Sequence, residues 1–457
     1  MSAKAPNLIF VFPDQYRRQA MGCLNADPVL TPRLDRFAAE GALFTRAVST
    51  FPVCSPYRAS LLTGQYPYGN GVLGNCHSGR PGMELRADTV CFTDVLSRAG
   101  YNVGWIGKWH LEAPHEPYVG QPTREGQWWN EYTPPERRHG IDFWYSNGCN
   151  NKHLQPSYWV GDAPRDQQKT VEQWSLTHET DVALDYLRNE GGAQRDPAKP
   201  FALFISWNPP HPPYTLIPEE ALAVYADRES ADFLTRGNVG GGCIDDVMQW
   251  AKPYFAAVTA VDAQFGRILD CLDELGLADD TLVVFTSDHG DMMGSHGLVG
   301  KTVHWEESYG VPLLMRWPGR IAPRRDDLLV SQADLMPTIL SMMGLGDRIP
   351  RSVEGVDYSR TVMTGSGPRP KSALYMRPQL DDPKLGERGV TTDRWKLVVW
   401  REAGDNGPTE RRWLGDLQED PLELENHLDR HPDVERELVG MLNDWLVRTN
   451  DPWDPVR

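Results

Sequence analysis

Continuous apolar runs along the chain predict a set of fully buried strands. Five such runs cover residues 7–12, 102–106, 200–207, 281–286 and 311–316. Apolar residues at successive positions, and not only at every second one, indicate strands of a parallel sheet that is covered on both faces. Between these runs, apolar positions recur at helical spacing over residues 32–40, 89–98, 171–189, 246–275 and 334–343. The alternation predicts an α/β fold in which helices sandwich a large, mostly parallel sheet.

Two features modify this regular pattern. Pro253 lies inside the fourth predicted helix, where we expect it to interrupt the helix. After residue 365 the order changes to strands over residues 372–376 and 395–400 and a closing amphipathic helix over 432–447. We therefore expect a catalytic α/β domain over residues 1–365 and a small α+β subdomain with an antiparallel sheet over residues 366–457.

A long segment over residues 111–169 has poor periodicity and many aromatic residues among Gly, Pro and Asn. One interpretation is a loop-rich cover packed by its own rings. The other is a substrate wall whose rings stack on a sugar or an aryl group.

Polar side chains follow the predicted strands at the end where ligands bind in open α/β sheets. These residues are Asp14, Gln15, Lys108, His110, His211, Asp288 and His289. Asp14 and the Asp288-His289 pair are expected to converge at the ends of neighbouring parallel strands, where they supply carboxylate oxygens and one nitrogen for a divalent cation. His211 lies among four prolines, which restrict its backbone.

Cys54 is the first residue of a run that predicts the start of a helix. Ser55 is expected to cap the helix, Pro56 to take its first position and Leu61-Leu62 to anchor it in the core. A cysteine at a helix N-terminus has a lowered pKa and faces free N–H groups, while Arg58 supplies a guanidinium suited to an oxyanion. A lone cysteine would more simply be a small buried thiol.

Composition limits the classes of partner that we expect for this protein. The 457 residues carry a formal charge of −17, which argues against a nucleic-acid partner, so an anionic substrate needs a local positive pocket. No apolar stretch is long enough for a signal peptide or a membrane span, so no membrane partner is expected. The seven cysteines are scattered and odd in number, which favours reduced thiols and a cytoplasmic location.

The run from Cys54 to Gly64 resembles the signature of the type I sulfatases, in the alkaline phosphatase superfamily. It reads Cys-x-Pro-x-Arg, then a small residue, Ser, an aliphatic pair and Thr-Gly. The resemblance implies that Cys54 is oxidised to formylglycine by a formylglycine-generating enzyme or an anaerobic maturase. It also implies an alkaline-phosphatase-like fold.

Four further elements resemble the same family in the same order. The family usually places two aspartates where this chain has Asp14-Gln15, a departure that phosphonate monoester hydrolases share. By resemblance, Asp14, Gln15, Cys54, Asp288 and His289 bind one divalent cation, first of all Ca²⁺, with Mg²⁺ or Mn²⁺ as alternatives. The same resemblance assigns the catalytic group as Cys54, Arg58, Lys108, His110, His211 and Lys301. In it, Lys108, Lys301 and Arg58 stabilise the sulfate, His110 holds or deprotonates the nucleophile and His211 is the general acid.

A nucleotide-binding loop is excluded around Lys301, because Ser295 stands where that motif needs glycine. His296 in the same run is expected to be structural. The resemblance implies hydrolysis of sulfate monoesters, of a sulfated carbohydrate or of an aryl sulfate, by a chain that could form homo-oligomers. Two alternatives stay open: a phosphonate or phosphate monoester hydrolase on the same fold, and a non-catalytic binder of sulfated glycans. Lys108 and His110 favour sulfate over phosphonate.

Overall fold

The computed structural model describes residues 5–404 and 408–457. Ten strands form one large sheet: β1 Asn7–Val11, β2 Ala42–Phe44, β3 Asn102–Lys108, β4 Phe143–Asn147, β5 Ser157–Val160, β6 Lys169–Thr170, β7 Phe201–Ser206, β8 Thr281–Thr286, β9 Leu313–Arg316 and β10 Arg324–Asp326. Their spatial order is β10-β2-β9-β8-β1-β7-β3-β4-β5-β6. The central five, from β8 to β4, pair in parallel, whereas β9, β5 and β6 join antiparallel to their inner neighbours.

Helices cover both faces of this sheet. They are α1 Pro32–Glu40, α2 Cys54–Thr63, α3 Pro67–Asn70, α4 Phe92–Arg98, α5 Ser175–Arg188, α6 Glu219–Leu222, α7 Ile244–Glu274, α8 Glu306–Tyr309, α9 Gln332–Met342 and α10 Ser359–Thr364. Side chains along β1 alternate between two cores, with Leu8 and Phe10 on the face of α2, α4 and α9 and Ile9 and Val11 on the face of α1, α5 and α7. This alternation explains why the sequence of β1 is apolar at every position.

A second, separate sheet follows in the chain. Its antiparallel strands are β11 Ala373–Pro378, β12 Gly386–Thr391, β13 Trp395–Glu402 and β14 Thr409–Asp416, in that spatial order, and the helix α11 Pro432–Arg448 packs against it. The predicted α/β class, with its mostly parallel sheet and its additional antiparallel sheet, is confirmed. The boundary at residue 365 stays a prediction. None of the described helices combines the length and the apolar character that crossing a membrane requires.

The predicted interruption at Pro253 is wrong, because α7 continues through this residue. Proline inside a helix removes one hydrogen bond and costs about 3 kcal/mol. The residues around it bury a continuous apolar face that includes Ala251, Tyr254, Phe255 and Val258. Burial of several such side chains, each contributing about 1.5–3 kcal/mol for the larger ones, outweighs the penalty.

Candidate active site

Four adjacent strands end at one edge of the large sheet and bring their following residues together. Asp14 follows β1, and its backbone N–H donates to the carbonyl of Trp207 after β7, at 2.8 Å. The backbone N–H of Gln15 donates to Oδ1 of Asp288 after β8, at 3.0 Å. Gln15 itself adopts a left-handed backbone with φ of 67°, which turns the chain sharply at the end of β1.

Helix α2 directs its N-terminus at the same edge. The helix begins at Cys54 with Val53 as N-cap, so the expected cap at Ser55 and first position for Pro56 are wrong. Ser55 lies in the first turn, and its Oγ donates to the carbonyl of His110 at 2.7 Å. Pro56 is still in the first turn, where a missing N–H breaks no helical bond. Leu61 and Leu62 are fully buried, as expected of an anchor.

The side chain of Cys54 lies beside the three candidate metal ligands. Its Sγ is 3.8 Å from Oδ1 of Asp14 and 3.4 Å from Nε2 of His289. Nε2 of His289 is in turn 3.4 Å from Oδ1 of Asp288 and 3.6 Å from Oδ1 of Asp14. All four side chains are buried, and their donor atoms lie within 4.8 Å of one another. Two carboxylates, an imidazole and residue 54 therefore form one compact donor set.

Three cationic side chains surround this set. Nζ of Lys108 is 2.7 Å from Oδ2 of Asp14 and 3.8 Å from Sγ of Cys54. Nζ of Lys301 is 3.4 Å from the same sulfur. The guanidinium of Arg58 is fully buried and bridges Oδ2 of Asp14 and Oδ2 of Asp288, at 3.1 and 3.2 Å.

Arg58 also donates to the carbonyl of Lys108 at 2.8 Å and to Oγ of Ser206 at 2.6 Å. With these contacts the guanidinium holds the two carboxylates in place. Its direct contact with a substrate oxygen stays a prediction.

The electrostatics of the carboxylate pair are asymmetric. Burial, followed by the nearby Asp14, raises the pKa of Asp288 to about 6. Burial alone would also raise the pKa of Asp14, but Lys108 and Lys301 hold it well below its usual range. The charged form of Asp288 is thus repelled by Asp14, and the protein's own cations do not offset this repulsion. A divalent cation between Asp14, Asp288 and His289 would remove it, so the donor set fits such an ion.

The thiol of Cys54 lies in an electropositive environment. Burial would raise its pKa, but Lys108, Lys301 and His289 together hold the pKa well below its usual value. A negative charge or a developing oxyanion is therefore stabilised at this position.

Two further histidines adjoin residue 54. His110 is buried with a left-handed backbone, and its Nε2 lies 3.1 Å from the carbonyl of Cys76. Nδ1 of His211 lies 2.7 Å from the carbonyl of Pro212, which assigns the proton to Nδ1. Burial and Lys301 lower the pKa of His211 to about 3, so its Nε2 is unprotonated in the free protein.

Gln15 is part of a network that the sequence did not suggest. Its Oε1 accepts a hydrogen bond from Nζ of Lys301 at 2.7 Å, and its Nε2 donates to Oδ2 of Asp291 at 2.5 Å and to the hydroxyl of Tyr214 at 3.0 Å. Asp291 and Tyr214 each stand close in sequence to a predicted site residue, and that proximity is the one available signal for them. Asn75, whose Oδ1 accepts from the backbone of Ser55 at 3.0 Å, has no such signal.

The structure also places His296 and the aromatic residues of the segment 111–169. His296 stacks on Trp305 at 4.0 Å between ring centroids and contacts Asn238, which fits the structural role expected of it. Of the aromatic segment, Trp144, Tyr158 and Trp159 are buried in the cores, as the cover interpretation requires. Trp129 instead packs against His110 at 5.5 Å and lines a groove, as the substrate-wall interpretation requires.

Comparison with known proteins agrees with this geometry. The sulfatase family model matches residues 6–345, and a second model, described as the C-terminal part of N-sulphoglucosamine sulphohydrolase, matches residues 294–450. The first match contains every candidate site residue.

Individual relatives extend over nearly the whole chain. An endo-4-O-sulfatase of Bacteroides thetaiotaomicron is 39% identical, with 99% of this chain and 94% of the relative aligned. An ulvan-active sulfatase of Formosa agariphila is 31% identical over 98% of this chain and 82% of its own length. The crystal structure of the sulfatase yidJ from Bacteroides fragilis superposes with a TM-score of 0.92 at 41% identity, covering 98% of this chain and 97% of that one. The chain therefore belongs to the sulfatase family, with an alkaline-phosphatase-like fold, and is a sulfuric ester hydrolase.

Proposed function

We propose that this protein hydrolyses sulfate monoesters of a sulfated carbohydrate, using formylglycine formed from Cys54 and one divalent cation. The observation that supports it most is the position of Sγ of Cys54. It lies at a helix N-terminus, within 3.8 Å of Asp14, His289, Lys108 and Lys301. A buried structural thiol would need none of these charged neighbours.

Asp14, Asp288 and His289, together with Gln15 and residue 54, would hold the cation. Hard oxygen donors and one nitrogen suit Ca²⁺, which we propose first, and also Mg²⁺ or Mn²⁺. The ion would supply charge that stabilises a sulfate oxygen and makes the nucleophilic hydroxyl more acidic. Oε1 of Gln15 already accepts from Lys301, and its second lone pair is the one that a cation would use.

Formylglycine would supply, as its hydrate, two hydroxyls on one carbon: one to displace the alcohol from sulfur, and one whose deprotonation expels sulfate and restores the aldehyde. The side chains of this protein do the rest. Lys108 and Lys301 place two ammonium groups beside residue 54 and stabilise negative charge on the sulfate oxygens. Arg58 keeps Asp14 and Asp288 in position, and buried His110 holds the hydroxyl of residue 54.

His211 would protonate the leaving oxygen. Its pKa of about 3 leaves Nε2 without a proton until an anionic ester binds nearby. The negative charge of the bound ester raises that pKa, so His211 becomes an acid in the substrate complex. The hydrogen bond from Nδ1 to Pro212 fixes the ring so that Nε2 is the atom that carries the transferred proton.

The carbohydrate part of the proposal rests on two observations. Relatives of similar length are named for activity on ulvan and for endo-4-O-sulfatase activity. Next to the site, a groove of about 1070 Å³ is lined by loops of the large α/β part, including Trp129, and by strands of the second sheet, including Trp400. A simple aryl sulfate would fill little of it. We also propose maturation by a formylglycine-generating enzyme or an anaerobic maturase and, because all seven cysteines are free, a cytoplasmic location.

The experiment is mass spectrometry of the peptide that contains residue 54, combined with a sulfate-release assay. Formylglycine lowers the peptide mass by about 18 Da relative to the thiol. Cys54→Ala should release no sulfate, whereas Cys243→Ser, a half-exposed thiol, should match the wild type. Full activity with an unmodified Cys54 would overturn the proposal. The Asp14-Gln15 pair favours a phosphonate monoester hydrolase as the second candidate, so 4-nitrophenyl sulfate and a phenyl phosphonate should be assayed in parallel.

A further inference from the structure

The groove beside the active site is larger than a sulfate pocket needs to be. Its volume is about 1070 Å³, at the upper end of the range for small-molecule sites. Val53, next to the nucleophile, and Thr302, next to Lys301, both line it, so it lies beside the active site. The opposite walls come from residues 73–83 and from β11 and β13 of the second sheet.

Arg80 is the unusual residue of this groove. Its half-buried guanidinium lies over Gly74, and Nη1 donates to the carbonyl of Asn75 at 3.3 Å. The groove has two other arginines, and each already has a carboxylate partner: Arg377 pairs with Glu387 at 2.9 Å and Arg401 with Glu410 at 3.0 Å.

Arg80 differs in this respect. Within residues 5–404 and 408–457, no carboxylate forms an ion pair with it, although the charge of Asp381, which follows β11 on the opposite wall, acts on its pKa. Burial lowers the pKa of Arg80, but an arginine remains charged under all ordinary conditions. In a protein of net charge −17, an unpaired and partly desolvated cation in a groove indicates that an external anion completes its coordination.

The position of Arg80 relative to the nucleophile is set by short links. Asn75, which accepts the arginine's hydrogen bond, also accepts from the backbone of Ser55 at 3.0 Å, one residue from Cys54. The groove also carries an aromatic surface, in which His77 stacks on Trp129 at 5.2 Å and Trp129 packs against His110. Burial lowers the pKa of His77 to about 4, so His77 is neutral near pH 7 and Arg80 is the cation of this wall.

We propose that Arg80 binds a second anionic group of the substrate, a uronate carboxylate or a second sulfate, on the sugar next to the one that carries the scissile sulfate. Both groups present two oxygens in the spacing that a guanidinium fork binds. The sugar ring between the scissile sulfate and the second anion packs on the Trp129 surface. The proposal rests on the proposed glycan sulfatase activity and names the chemistry that the substrate must carry beyond its reacting sulfate.

The test compares three disaccharides that share one sulfated sugar. The neighbouring sugar is a uronate in the first, its carboxyl-reduced neutral form in the second, and the reduced form with a second sulfate in the third. Arg80→Gln should lower kcat/KM about tenfold to a hundredfold, mainly through KM, on a substrate whose second anion Arg80 binds. The neutral disaccharide should change less than twofold, and Arg80→Lys should retain part of the affinity.

Arg86→Gln, an exposed arginine of the same chain region that does not line the groove, is the matched control. Selective loss on the first or on the third disaccharide supports the carboxylate or the sulfate, respectively. Equal loss on all three, or no loss on any, overturns the role of Arg80. If the wild type releases sulfate from none of the three, the proposed function itself fails, and that result is distinguishable because it does not depend on the variant.

Discussion

Replacing Lys301 with methionine should reduce catalysis without unfolding the protein. Its ammonium lies 3.4 Å from Sγ of Cys54, the atom that stands in for the nucleophilic hydroxyl of formylglycine, and is partly exposed, at 16% of the side chain. At an effective dielectric constant of about 20, a full charge at that distance interacts by about 5 kcal/mol. Only part of a charge develops at the transition state, so we expect a loss of about 3–4 kcal/mol, or roughly 10²- to 10³-fold in kcat/KM.

The assay is sulfate release, measured with purified wild type and variant. The fraction of formylglycine in each sample should be determined first, because a maturation defect would imitate a catalytic one. Lys199→Met, an exposed lysine before β7, is the control and should keep wild-type activity. Thermal melting should show only a modest decrease for Lys301→Met, since the variant loses one hydrogen bond to Gln15 and a 4.0 Å ion pair with Asp14. Wild-type kcat/KM in a fully matured Lys301→Met variant would refute the electrostatic reasoning.

Three further predictions concern stability. Burial raises the pKa of Glu179 from its ordinary value of 4.5 to about 8, so between these pH values the unfolded chain ionises Glu179 while the folded protein keeps it protonated. The free energy of unfolding should therefore fall by up to about 1.4 kcal/mol per pH unit towards pH 8. Glu179→Gln should remove this slope in denaturant unfolding, and an equal slope in the variant would contradict the prediction. Arg388 and Asp451 form a fully buried pair at 2.5 Å, so Arg388→Met should cost about 3–5 kcal/mol, much of which the double variant with Asp451→Leu should restore. Excess Ca²⁺ after chelation should raise the unfolding free energy by about 2.7 kcal/mol at a hundred times its Kd, and identical melting curves with chelator and with Ca²⁺ would exclude Ca²⁺ as the bound ion.

The central strands of the large sheet were predictable from the sequence, whereas β12 and β14 of the second sheet were not. β1, β7 and β8 are apolar throughout because each is buried on both faces, so their extents differ from the predicted ones by two residues or fewer. The strands β2, β6 and β10 were missed because they have two or three residues, too few for a periodic signal. Pro253 shows the opposite failure, in which packing along α7 overrides a strong local preference.

The candidate site was predicted as a set of residues, with Asp14 converging on the Asp288-His289 pair, but without its distances and supporting contacts. Asp14, Lys108, His211 and Asp288 could be recognised because polar residues follow buried strands. Supporting partners such as Ser206 and Asn75 could not, since they contact the site through folding and not through any local pattern. The same holds for Arg80, which in the sequence is one arginine in an unremarkable loop.

The sequence by itself determined which chemical groups this protein has and which of them stand at strand ends or at a helix start, because backbone preferences and side-chain periodicity are local. Tertiary structure decided the order of the strands, the distances around residue 54 and the direction of each pKa shift. Coulomb energies and desolvation depend on distances between atoms that are far apart in the chain, such as Gln15 and Asp288, 273 positions from each other. Those distances exist only once the sheet has formed.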